Sequence, residues 1–197
     1  MGRDYRQGFS EDASGAMRMY ERSGRDVPIT FVRHTMRHSC DESRKSDNLA
    51  DVTICVHGQE HSSEGVQGNG PVHALDEAIR EALAKSYSGL CVKSVHYTGF
   101  RAEGHFDDPD VPPGLHVDAA VTIGFVAAVD ESTDQLVDLK EKGPAIRHVR
   151  WSARAEGADL IDASIQALGD GYNWFALNVL SCVSKIQAPV TGTLAAL

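Results

Sequence analysis

Residues 52–83 read VTICVHGQEHSSEGVQGNGPVHALDEAIREAL, and within this stretch a strand period gives way to a helix period. Val52, Ile54 and Val56 alternate with their neighbours as one face of a strand does. His57-Gly58 supplies a two-residue turn, and a more polar strand returns. Gly68, Asn69 and Gly70 then lead to Pro71, which suits the first position of a helix because its missing N–H would be unpaired there anyway. From that point Val72, Leu75, Ile79, Leu83 and Tyr87 form one apolar stripe with Ala78 and Ala82 beside it. Asp76 to Arg80 and Glu81 to Lys85 fall at i,i+4 and are assigned to the wet side. A hairpin feeding a one-faced helix predicts a helix laid on an antiparallel sheet.

Working outward, residues 27–40 (VPITFVRHTMRHSC) have the β-branched and aromatic content of a strand ahead of the hairpin. After the helix the pattern starts again. CVKSVHYTGF reads as a strand, EGHFDDPDVPPG as a Pro/Gly/Asp-rich insertion, LHVDAAVTIGFVAAV as a long strand and AIRHVRWSA as another. The last of these turns Val149 and Trp151 inward. DESTDQLVDLKEKGP is a polar excursion between them. Ile161, Ile165, Leu168, Tyr172, Phe175 and Val179 then recur at helical spacing, and Gly169-Asp170-Gly171 offers a place for a kink or a break because glycine weakens a helix. ALDEAIREAL aligns with LIDASIQALG so that Asp76 matches Asp162 and Ile79 matches Ile165. The fold class expected is α+β, built from two β-β-β-α units with pseudo-two-fold symmetry and helices on one face of a largely antiparallel sheet. The first unit covers residues 27–90 and the second 91–182. Residues 1–26 read as a mobile or partly helical arm that adds little core, and 183–197 as a tail.

The chain has 197 residues, a formal net charge of −9 and a pI near 5.4. That balance repels polyanions, and no Lys/Arg stripe offsets it, so nucleic acid is not the expected partner. No apolar run approaches the ~18 residues of a membrane span. There is no apolar signal core at the start, and Arg6 stands where a myristoylation signal wants Ser or Thr, so the expected location is cytoplasmic. Cys40, Cys55, Cys91 and Cys182 form no C-x-x-C pair and read as reduced, mostly buried thiols.

EGVQGNGPVHALDEAIREAL, followed at a distance by ADLIDASIQALGDGYNWFAL, resembles the C-terminal regulatory, or allosteric dimerisation, domain of the α-isopropylmalate synthase and citramalate synthase family. The resemblance covers roughly residues 27–180 and is nearer the citramalate synthase style. It implies a domain that pairs with its copy, binds a branched-chain amino acid such as leucine or isoleucine, and controls a synthase. Carried over by position, it implies effector contacts at Gly68, Asn69, Gly70, Pro71 and His73, and in the second unit at Gly157, Asp159 and Leu160. Catalytic residues, metal and cofactor are all expected to be absent. Three features depart from the family pattern. Ala155 and Gly157 stand where a glycine and then a serine are usual, His73 stands where a small residue is common, and the segments Asp107–Pro113 and Glu131–Lys142 are long. The family's catalytic barrel needs ~250 residues, so the expectation is a stand-alone regulatory domain or a fragment, acting in trans on a separate catalytic subunit.

The helix-start amides agree with a carboxylate ligand, since glycines let a backbone approach closely and unpaired N–H groups attract an anion. A nucleotide phosphate would want a P-loop lysine or a G-x-G-x-x-G turn, and neither is present. His34 with His38, and His57 with His61, are too far apart along a strand to share a metal. Asp107, Asp108 and Asp110 lack the spacing of a calcium loop. Trp151, Tyr172 and Trp174 read as core, and Ser164 has no base beside it. The competing functional class is a scaffold with its own acid–base chemistry around His73, His96 and His148.

Overall fold

The computed structural model describes residues 12–40, 46–87, 92–104, 119–133 and 135–180. In chain order its elements are α1 (Ala13–Arg22), β1 (Ile29–Cys40), β2 (Ser46–Val56), β3 (Gln59–Gly68), α2 (Pro71–Leu83), β4 (Val95–Gly104), β5 (Ala119–Asp130), β6 (Gln135–Leu136), β7 (Ile146–Gly157) and α3 (Leu160–Phe175). α3 continues as a π-helical stretch through Ala176–Leu180. The class is α+β as expected, with two separate antiparallel sheets rather than one.

The first sheet has the order β1-β2-β3 and carries α2 against β2 and β3. Val52, Ile54 and Val56 are buried on its core face. His57 and Gly58 both take positive φ (50° and 82°), as a two-residue turn that matches strand twist demands. In the second sheet β5 is central, with β7 along the whole of one edge and β4 on the other, where β6 extends that edge past Ala127. α3 packs on β5 and β7. Among the described residues no helix is long and apolar enough to cross a membrane.

The duplication extends to irregularities. β1 slips register between Phe31 and Arg33, and β4 slips between Tyr97 and Gly99, each three residues into its strand. In β1 this slip turns Val32 outward, leaving it 51% exposed. Each unit also runs its last strand into its helix past a close-packed glycine. A Cβ on Gly68 would lie 2.2 Å from Ala74 N, and one on Gly157 would lie 2.7 Å from Ala163 N. These contacts set the true correspondence: Gly68 with Gly157, Gly70 with Asp159, Ala74 with Ala163, and hence Asp76 with Ile165 and Arg80 with Gly169. The sequence alignment of Asp76 with Asp162 is therefore wrong by nearly one helical turn.

Three other expectations change. Residues 13–22 form a helix whose Ala13 and Met17 enter the core, so the early chain contributes more than its Gly/Ser content promised. Helix α3 runs unbroken through Gly169 and Gly171, because both glycines are demanded by neighbours: Phe31 lies 2.8 Å from a Cβ placed on Gly169, and Phe125 lies 2.2 Å from one on Gly171. The excursion after Glu131 contributes β6 and buries Leu136. The insertion around Asp107–Pro113 and the tail from 183 lie outside the described residues, as do Asp108 and Asp110.

Trp151, Tyr172 and Trp174 are core residues, as read. Trp151 stacks on Phe125 at 5.5 Å and on Trp174 at 4.8 Å, and its Nε1 donates to Gly171 O. Ser164 donates back to Leu160 O, one turn behind it, which gives the hydroxyl a purely local role. Two buried polar links then join the units. Asn173 accepts from Ile29 N at 2.9 Å and donates to Ile29 O at 2.8 Å, fixing α3 to β1. Tyr172 joins α3 to α2 through Asp76.

Candidate functional site

Both helices start from an extended residue, and there the likeness stops. Asp159, at φ −148° and ψ 174°, accepts with its own carboxylate from Ile161 N and Asp162 N at 2.7 and 2.9 Å. Gly70, at φ −163° and ψ 171°, has no side chain to offer, and among the described residues no side chain caps α2. Pro71 brings no N–H, so the open donors of the first turn are those of Val72 and His73. Ala74 N already closes the helix on Gly70 O at 2.9 Å. The second start is thus filled by its own acid, whereas the first remains a donor pair at the positive end of a helix dipole.

His73 holds the approach to that pair. Its Nδ1 accepts from Asn69 N at 3.2 Å, which fixes the proton on Nε2, and Nε2 lies 3.9 Å from Glu77 Oε1. The imidazole stands edge-on to Tyr97, with ring centres 6.3 Å apart. The Tyr97 hydroxyl is raised above its ordinary pKa by burial and by the Asp76 and Glu77 charges, so it remains a neutral donor.

Behind this rim lies a group that sequence reasoning put in the wrong place. Asp76 is fully buried and Arg80 nearly so, although both were assigned to the wet side of α2. The signal was present: Asp76 is four residues after Val72 and three before Ile79, on the stripe itself. Tyr172 donates to Asp76 Oδ1 at 2.6 Å, and burial, with the Asp76 charge next, holds the Tyr172 phenol well above its ordinary range. Among the described residues Asp76 Oδ2 has no hydrogen-bond partner; Arg80 Nη1 is 4.0 Å away and His96 Nδ1 3.6 Å. Arg80 donates to His96 Nδ1 at 2.8 Å and to Val92 O at 3.1 Å. A guanidinium has no lone pair to give, so His96 must accept there. The first i,i+4 pair thus forms, but inside the protein, whereas in the second Lys85 reaches Ser62 O instead of Glu81.

Asp76, Glu77 and His96 offer ligand atoms within 4.8 Å of one another, the spacing of a metal cluster. Arg80 Nη1 lies among them, 3.6 Å from Glu77 and closer still to His96, so a guanidinium already supplies the positive charge. A metal would have to displace it. The acid–base grouping of His73, His96 and His148 is only partly assembled. His73 and His96 flank Tyr97, but His148 lies on β7 opposite Ala128. His96 also has its Nδ1 lone pair occupied by Arg80. His34 lies 3.9 Å from Asp162 and His38 bonds Asn48, so these two are engaged separately. Cys55 is a free, half-buried thiol.

Of the eight positions implied for an effector, Gly68 and Gly157 serve close packing, Asp159 serves its own helix, and Leu160 is 38% exposed at the first turn of α3. Asn69, Gly70, Pro71 and His73 form one continuous rim. Among the described residues no hydrogen bond or ion pair joins the 68–73 loop to the 157–160 loop.

No family model matches the chain. It is similar to an (R)-citramalate synthase of Synechocystis sp., 26% identical over 185 residues that make up 89% of this chain and 29% of that protein. It is also similar to an (R)-citramalate synthase of Geobacter sulfurreducens, 28% identical over 137 residues, 68% of this chain and 21% of that protein. The chain thus spans less than a third of the length of the curated relatives it matches. Over that span the chain is similar to part of the citramalate synthases.

Proposed function

We propose that this chain is a regulatory domain that binds a branched-chain amino acid, leucine or isoleucine, at the open start of α2, pairs with a second copy of itself, and controls a citramalate or isopropylmalate synthase. The observation that carries the reading is the uncapped first turn of α2. Helix geometry leaves the Val72 and His73 amides without an intrahelical partner there, and Asn69, His73 and Tyr97 stand beside that turn. The ligand carboxylate takes those amides, as anions do at helix starts. The Tyr97 and His73 rings border its side chain, and Glu77, half-exposed one turn along, is the acceptor for its ammonium. The similarity to citramalate synthases supports the class of pathway. Because α2 is tied through Asp76 and Tyr172 to α3, occupancy at the helix start has a direct route to the second unit.

Calorimetry with leucine and isoleucine, each against its decarboxylated amine, tests this reading. Saturable binding that needs the carboxylate is expected, with loss of at least tenfold in His73→Ala. Binding that is indifferent to the carboxylate, or no binding of either amino acid, overturns it. The self-association step is checked separately by sedimentation with and without the amino acid.

A further inference from the structure

Helix α1 lies along the outer edge of the second sheet and leaves a cleft behind it. Asp12 bridges Ser152 in parallel register, and Ser14 Oγ accepts from Arg154 N at 2.9 Å, so the helix is pinned to β7. Between α1, β1, β7 and α3 is an open space of about 870 Å³, within the usual range of small-molecule sites. Ile29, Phe31, Ala155 and Ile165 give it an apolar wall.

The charges around this cleft do not cancel. Arg18 lies 4.0 Å from Asp12, and Arg154 lies 3.4 Å from Glu156, so each arginine on the wall already has a carboxylate. Glu21 and Asp170 also line the cleft, and among the described residues neither belongs to an ion pair. Asp170 is partly buried, and that burial, with the Glu21 charge adding to it, raises its carboxyl above the ordinary range despite the Ser14 hydroxyl and Arg18. The position that corresponds to Arg80 in α2 is Gly169 here, so α3 brings no cation of its own. Two acids left over beside an apolar wall are complementary to a cation with a hydrocarbon body.

We propose that the cleft between α1, β1, β7 and α3 binds a small primary alkylammonium, with the charge on the Glu21 and Asp170 side and the hydrocarbon against Phe31 and Ile165. This site is separate from the α2 start and uses none of its residues.

The test titrates 3-methylbutylamine into the full chain by calorimetry and thermal unfolding, with 3-methylbutan-1-ol and 3-methylbutanoate as probes of the same body. The amine is expected to bind saturably and raise Tm, the alcohol and the acid to do neither at the same concentration. Asp170→Asn and Glu21→Gln should each weaken the amine at least tenfold. Glu21 sits on an exposed face of α1 and its side chain makes no described contact that holds the fold, so Glu21→Gln reads the charge of the site without the change in stability expected of Asp170→Asn. No binding of the amine, equal binding of the alcohol, or wild-type affinity in Glu21→Gln would overturn the proposal.

Discussion

The start of α2 and the start of α3 share a backbone and a packing contact but not a chemistry. Gly70 and Asp159 are both extended, and the strand glycine before each, Gly68 or Gly157, lies against the first turn of its helix. At α3 the carboxylate that an N-terminus attracts is covalently built in as Asp159. At α2 it is left out. Duplication preserved the scaffold where backbone meets backbone, and the two copies diverged where a side chain decides whether the amides are satisfied. The interior diverged in the same way: α2 carries Asp76 and Arg80 where α3 carries Ile165 and Gly169.

The packing half of this comparison is broken most severely at the glycines. Gly68→Ala places a Cβ 2.2 Å from a backbone nitrogen and is expected to cost more than about 3 kcal/mol, while Gly157→Ala, at 2.7 Å, costs about 1–3 kcal/mol. Urea unfolding of both variants checks the order, and a substitution without cost at either glycine would count against the correspondence. Next comes the polar link that only the α2 side supplies. Tyr172→Phe leaves Asp76 Oδ1 without its donor in the core and should cost about 1–3 kcal/mol, with the loss absent when Asp76 is also replaced by Ala.

The caps give smaller effects of opposite sign. Asp159→Ala should lose about 1 kcal/mol, and Gly70→Asp should gain a few tenths, since nothing within 4 Å obstructs a side chain there. The two units also answer differently to pH. Asp51 in the first sheet accepts from Gly65 N at 2.6 Å, which lowers its carboxyl pKa below 3.8, with Arg37 adding to the effect against desolvation. A lowered folded pKa means a contribution present above 3.8 and lost as pH falls through the folded value. Asp170 is raised, so its contribution is present below 3.8 and lost as pH rises through the folded value. Asp51→Asn should therefore destabilise at pH 7 and Asp170→Asn stabilise, and both differences should fade in melts recorded toward pH 3.

Much of this was legible beforehand because it rests on periodicity. The hairpin at His57-Gly58, the helix from Pro71 and the buried Trp151 follow from local pattern and turn chemistry. What was not legible depends on partners distant in sequence. Asp76 and Arg80 look like a solvated i,i+4 pair until Tyr172, Val92 and His96 are seen to surround them. Gly169 and Gly171 look like a break until Phe31 and Phe125 are seen to need the room. Similar letters in the two helices also favoured matching Asp76 with Asp162, whereas the close-packed glycines impose a different register.

Gly70→Asp puts the central claim to its most direct test, because it gives α2 the start that α3 already has. Calorimetry with leucine and isoleucine on the wild-type chain and on this variant should find binding in the first and none in the second, while the variant melts no lower than wild type. Undiminished binding in the variant would contradict the assignment of the ligand carboxylate to the open amides of α2.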